Sequence, residues 1–276
     1  MIWYIPMRLA IKFAYDGTKF KGSQRQPNVY TVEGAIIDCL KKHQIIIDLG
    51  RSRFQVASRT DADVSAVANI FALHTDFNEK SILPILNSKI DNCWFYGIAR
   101  VSDDFNPRHA KSRWYRYHVF KDAIKPVSFA KLTSIISQFQ GTHDFKNFCK
   151  PGSENTKRYI EKIKAEENDD WIILDLIAPS FLWHQVRRLV KAWVAFACDE
   201  IREDTLIGAL DNPDKKVDFG LASARPLFLM DIDYSQEFQA ENWILNKSDS
   251  NLIKDWQDIK LKNRLFEYLL QNMQVF

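Results

Sequence analysis

One order of elements, written twice along the chain, constrains the fold more than any other feature. From Arg8 to Tyr15 the apolar residues Leu9, Ile11, Phe13 and Tyr15 alternate with Arg8, Ala10, Lys12 and Ala14, the period of a half-buried strand. The stretch "DGTKFKG" breaks that strand, and Thr31 stands where it can cap a helix. That helix carries Val32, Ala35, Ile36, Cys39 and Leu40 on one face and Glu33 in its first turn. The pattern then predicts strands over 54–58 and 67–74, a short helix over 82–86 and a strand over 93–101. After "SDDFNPRHAKS" the order begins again. A strand is predicted over 114–120, a helix over 128–139 closed by Gly141, strands over 158–165 and 171–178, a helix over 184–198 and a last strand over 227–234.

Each half therefore reads β-α-β-β-α-β, which is the ferredoxin-like, or RRM-like, unit. The fold class read from this is α+β: two such halves joined into one extended antiparallel sheet with a cleft between them. The domains fall at 1–103, 104–235 and 236–276, with the join near residues 102–107. In the last segment Ile253, Trp256, Ile259, Phe266, Leu269 and Met273 recur at helical spacing, so a helical C-terminal tail is expected.

A chain of 276 residues with 46% hydrophobic and 26% charged residues can bury a real core, and this excludes the disordered and fibrous classes. The formal charge of +3 decides nothing about partners, but its distribution is informative. Basic residues gather beside aromatic ones, as in Arg108, Lys111, Arg113 and Arg116 around Trp114 and Tyr115, and again in Arg187, Arg188 and Lys191. Phosphates need charge and unstacked bases need ring faces, so this mixture suits nucleic acid. Cys39, Cys93, Cys149 and Cys198 lie far apart with no C-x-x-C pair, the pattern of reduced thiols in a cytoplasmic protein. The opening "MIWYIPM" is too short for a signal or a span, no later run reaches membrane length, and the six histidines show no ligand spacing. No membrane, metal or cofactor is expected.

The sharpest local question concerns Arg59, Thr60 and Asp61, which stand directly before the apolar run from Ala66 to Leu73. A charged triplet at the mouth of a buried strand is either a turn or a site, and alone it more often marks a turn. Six segments in order change that: "FAYDGTKFKGSQRQPNVYTVEGAI", "SRTDADVSAVA", "DDFNPRHAKSRWYRYHV", "GTHDFKNF", "FLWHQVRRLV" and "LFLMDIDY". Together they resemble the motifs of the TruA family of tRNA pseudouridine synthases, over roughly Arg8 to Tyr234.

The resemblance implies isomerisation of uridine to pseudouridine in tRNA without a cofactor, in the anticodon stem-loop, by a homodimer. It places the essential acid at Asp61, the active-site tyrosine at Tyr115 and the basic partner of the acid at Arg187. Arg59 would help hold the flipped nucleotide, and Arg25, Arg108 and Tyr115 would contact substrate. An ionised carboxylate can attack C1′ or remove the 2′ proton, a guanidinium can orient it, and a tyrosine offers a ring face with a hydroxyl. Read from the residues alone, Tyr115 on an apolar strand could be core, and His184 has no assigned role. The family's usual G-R-T-D-A-G-V-H-A reads Ser58 to Ala66 here, with Ser58, Asp63 and Ser65 as departures, and Ser23 replaces the Trp of G-W-Q. Rival readings are a non-catalytic RNA-binding protein on the same duplicated unit, and a metal-dependent nuclease using Asp61 and Asp63.

Overall fold

The computed structural model describes residues 6–121, 126–152, 154–168 and 170–234, and the backbone of 239–240. In chain order the first half holds β1 (Met7–Tyr15), α1 (Val32–Lys42), α2 (Leu49–Ser52), β2 (Gln55–Val56), β3 (Ser65–Thr75), α3 (Glu79–Lys89) and β4 (Cys93–Arg100). The second holds β5 (Ser112–Phe120), α4 (Phe129–Ile136), β6 (Gly141–Asp144), β7 (Lys157–Ile160), β8 (Lys162–Glu167), β9 (Trp171–Ala178), α5 (Gln185–Ala197), α6 (Glu203–Asp211) and β10 (Leu227–Asp233). A two-residue strand, β11 (Gln239–Ala240), pairs with β4. The expected helical tail lies outside the described residues.

The protein is a mixed α+β structure built on one nine-stranded, mostly antiparallel sheet. Its order is β11-β4-β1-β3-β10-β5-β9-β8, with β2 paired onto β3. The period-two strands form where alternation predicted them. In β5, Arg113, Tyr115, Tyr117 and Val119 are buried while Trp114, Arg116 and His118 are half-buried on the opposite face. The Thr31 hydroxyl accepts from the Gly34 N–H, capping α1 as its position suggested.

The join between halves departs from the antiparallel layer expected. β10 runs parallel to β3, through Phe228 against Ser65 and Leu229 against Ala66. The same edge of β3 carries β2 further along, at Phe71 and Ala72. Because β2 is only two residues long, the start of β3 is left open for the second half to dock. Residues 57–64, which connect β2 to β3, therefore sit beside the seam between the halves.

A second departure concerns the strand predicted over 158–165. It is two strands: β7 forms a hairpin with β6, and β8 forms the edge of the main sheet beside β9. Ile160 and Ile163 are both buried although three residues apart, which a single period-two strand does not allow. The core beneath contains the fully buried Trp193 of α5, edge-on to Phe139 at 5.3 Å. Among the described residues no helix is long and apolar enough to cross a membrane, and no group of three or more His, Cys, Asp or Glu could hold a metal ion.

Candidate active site

The turn between β2 and β3 is held by side chains from three other segments. Ser23 Oγ accepts from the Thr60 N–H at 2.7 Å, and the Ser23 N–H donates back to the Thr60 carbonyl at 3.1 Å. The Thr60 hydroxyl meets Tyr15 Oη at 2.7 Å, and the buried Asn69 amide donates to the Ser58 carbonyl at 2.9 Å. With its neighbours fixed, Asp61 has one direction in which to project. The turn then closes through the Val64 N–H to the Asp61 carbonyl at 3.3 Å, with Asp63 in the left-handed region at φ 68°. Asp tolerates that region better than most residues, so the turn survives without the glycine usual at this place.

Gly17 packs against the end of the same turn, where a Cβ would lie 2.0 Å from the Val64 carbonyl oxygen. Its N–H donates to the Ser65 hydroxyl at 3.0 Å. Replacing Gly17 by Ala must push the turn away from β1. The expected result is a loss of about 1–3 kcal/mol in a denaturant melt, typical of overpacking, together with reduced activity. Wild-type stability and rate in that variant would show that the turn is not braced here.

Asp61 projects into a cleft of about 1140 Å³ lined from both halves. Arg187 Nη1, from the first turn of α5, donates to Asp61 Oδ2 at 2.5 Å, while Arg187 Nε donates to the Ala222 carbonyl at 2.8 Å. The guanidinium is thus fixed by a backbone oxygen and grips the carboxylate with its other edge. Trp183 Nε1 donates to Asp61 Oδ1 at 3.1 Å, and His184 Nε2 lies 3.5 Å from Oδ2. Lys150 Nζ stands 3.3 Å over the centre of the Trp183 ring, and the Lys150 backbone N–H donates to the Trp183 carbonyl at 2.8 Å. Burial pushes the His184 imidazole below its ordinary value; Asp61 pulls it back up, and Arg187, Lys150 and Arg188 push it down.

Tyr115 lines the cleft from β5, 7% exposed, with the Phe181 ring edge-on at 5.3 Å. Its hydroxyl lies 3.0 Å from Ser58 Oγ. Burial raises the phenol above its ordinary value, with the Ser58 hydrogen bond and the Arg113 charge acting in the opposite sense. The group is a neutral hydroxyl at neutral pH. Arg59 and Arg108 are exposed and line the cleft, and among the described residues neither side chain is ion-paired. Arg25 does not line the cleft; it is exposed on the neighbouring loop, its N–H donating to Glu33 Oε2 at 2.8 Å.

A profile of the tRNA pseudouridine synthase family matches residues 135–235. Over 271 residues the chain is 36% identical to tRNA pseudouridine synthase A of Pyrococcus furiosus, covering 97% of this chain and 99% of that one. It is 39% identical to the protein of the same name from Pyrococcus abyssi, covering 87% and 90%, and 31% identical to that of Methanobrevibacter smithii, covering 97% of each. The chain belongs to the tRNA pseudouridine synthase A (TruA) family. Membership makes it an isomerase.

Within that family frame, the departures at Ser23, Asp63 and Ser65 have visible structural work. Ser23 and Ser65 fix the two ends of the turn, and Asp63 supplies its left-handed residue. Sequence reasoning missed Trp183 and Lys150 and left His184 without a role. All three touch the Asp61 cluster directly or through one another. Trp183 and His184 had one advance signal, proximity to Arg187 in "FLWHQVRR"; Lys150 had none, since its contact with Trp183 spans a distance in sequence that no local pattern encodes.

Proposed function

We propose that this protein isomerises uridine to pseudouridine in tRNA, on the 3′ side of the anticodon stem-loop, with Asp61 as the essential carboxylate. The observation that carries the reading is the Asp61–Arg187 pair at the floor of a cleft between two halves, delivered by two separate motifs of a family whose members are named for this reaction. In the reaction the N1–C1′ bond breaks, the uracil turns, and a C5–C1′ bond forms while the hydrogen of C5 is lost and N1 gains one. Asp61 either attacks C1′ or removes the 2′ proton, and both roles need a carboxylate held in one orientation. Arg187 holds it. Tyr115 presents its ring to the uracil and its neutral hydroxyl to the C5 hydrogen.

Reaching C1′ requires the target nucleotide to leave its stack, and the unpaired cations of Arg59 and Arg108 at the cleft are placed to take its phosphates. Arg25, outside the cleft, would contact RNA beyond the flipped nucleotide. The body divides at 1–103 and 104–235 into two copies of a ferredoxin-like unit. Support comes from the shared order of strands, fourth-first-third-second in each half. The protein works in the cytoplasm as a homodimer whose two copies cradle one tRNA, and needs no cofactor.

Because C5 loses its hydrogen, tRNA carrying tritium at C5 of uridine should release it to water in proportion to pseudouridine formed. Retention of all tritium during incubation with active protein would contradict the reading. Replacing Tyr115 by Phe keeps the ring and removes the hydroxyl, so tritium release is expected to slow by about 10²-fold, the lower end of general acid–base contributions, with tRNA affinity within threefold. An unchanged rate would leave Tyr115 a packing residue.

A further inference from the structure

The hydroxyl of Tyr115 has one hydrogen-bond partner among the described residues, and that partner stands where the family motif has glycine. Ser58 Oγ lies 3.0 Å from Tyr115 Oη, and both residues are buried. No other neighbour competes for the phenol. The Arg113 guanidinium is close enough to be felt as a charge, but three of its five donors go to carbonyls, those of Ala57 at 3.1 Å, Arg108 at 2.8 Å, and Pro179, and among the described residues none of its hydrogen bonds goes to the phenol. The Tyr15 hydroxyl is engaged by Thr60 instead.

Ser58 is also held fast. The Asn69 side chain donates to its carbonyl at 2.9 Å and accepts from the Ile70 N–H at 2.8 Å, while the preceding Ala57 N–H donates to the Ile70 carbonyl at 2.8 Å. Its backbone is therefore fixed, and the buried hydroxyl that it carries meets the phenol at 3.0 Å. A free phenol O–H chooses between two in-plane positions; a fixed acceptor on one side selects one of them.

We propose that Ser58 is a positioning residue for Tyr115, its Oγ accepting the hydrogen bond of the phenolic O–H, whose proton stays on the phenol, and so leaving the oxygen's remaining lone pair turned to the substrate. The inference rests on the reading above that the Tyr115 hydroxyl serves the reaction. Ser58 touches no reacting atom. It acts by fixing the orientation of a group that does, and it supplies by side chain what a glycine at this position leaves to solvent or substrate.

The test is a four-protein comparison of single-turnover pseudouridine formation at saturating enzyme: wild type, Ser58→Ala, Tyr115→Phe and the double variant, with Asp61→Asn as the inactive reference. One neutral hydrogen bond corresponds to about three- to tenfold in rate, so Ser58→Ala should be slower by that factor with tRNA affinity within twofold. In the Tyr115→Phe background the same change should have less than a twofold effect, since there is no phenolic proton left to hold. A purely structural Ser58 would slow both backgrounds equally, and that result, or a wild-type rate in Ser58→Ala, overturns the proposal. Should Tyr115→Phe be too slow to time, Ser58→Thr decides, because it keeps the hydroxyl. A rate above that of Ser58→Ala supports the assignment, and an equal rate overturns it. Full turnover by Asp61→Asn would instead overturn the catalytic reading itself.

Discussion

Asp61→Asn is expected to abolish pseudouridine formation, with a fall of at least about 10⁴-fold and tRNA affinity within about tenfold of wild type. The substitution keeps size and hydrogen-bonding shape but removes the carboxylate oxygen to which the proposal gives attack on C1′ or removal of the 2′ proton, and among the described residues no other acid lines the cleft except Asp63, whose place is in the turn. Binding should persist because phosphate contacts by the cleft's arginines supply most of the affinity. Single-turnover assays beside a filter-binding titration separate the two quantities. Efficient turnover by the Asn variant would remove Asp61 from the chemistry.

Arg187→Ala is expected to slow the reaction by about 10²- to 10³-fold and also to lower stability. The kinetic loss follows from freeing the carboxylate: a misaligned nucleophile or base forfeits much of the advantage of proximity. The stability loss should be about 2 kcal/mol. It falls short of the 3–5 kcal/mol typical when one partner of a fully buried pair is removed, because the Asp61 side chain keeps 22% of its exposure and can recruit water. Arg187→Lys should recover little of the rate. An ammonium cannot hold the Ala222 carbonyl and the carboxylate at once, which the two edges of the guanidinium do here. Thermal melts and single-turnover rates check both parts, and a variant with wild-type rate would show that the pair is only structural.

Much of the fold was legible because burial imposes a period. β1, β5 and β9 sit on strictly alternating or nearly continuous apolar runs, and α1 and α5 carry clear apolar faces, so their positions could be read directly. What could not be read depends on pairing rather than pattern. The break between β7 and β8 exists because adjacent stretches pair with different strands, and the parallel seam exists because a two-residue β2 leaves half an edge open. α6 is short, with Leu206, Ala209 and Leu210 as its buried residues, and the sequence pattern did not single it out.

The site divides along the same line. Asp61, Tyr115 and Arg187 are 54 or more positions apart in sequence, and only ordered motifs connected them before the fold placed them in one cleft. The contacts of Ser58 with Tyr115 and of Trp183 with Asp61 cross the seam, Lys150 reaches Trp183 from within the second half, and no residue spacing announces any of them. Arg25 shows the converse. Its neighbours Gln24 and Gln26 line the cleft, yet it does not.

The measurement that tests the account most directly is site mapping of pseudouridine in whole tRNA transcripts after incubation with the purified protein, set beside an isolated anticodon stem-loop. Pseudouridine is expected on the 3′ side of the anticodon arm of whole tRNA. The short hairpin should be a poorer substrate, because cations spread over both halves track phosphates across the tRNA body. Pseudouridine confined to other parts of the tRNA, or formed equally well in the hairpin, would contradict the substrate assignment, and its absence from every transcript would contradict the central claim.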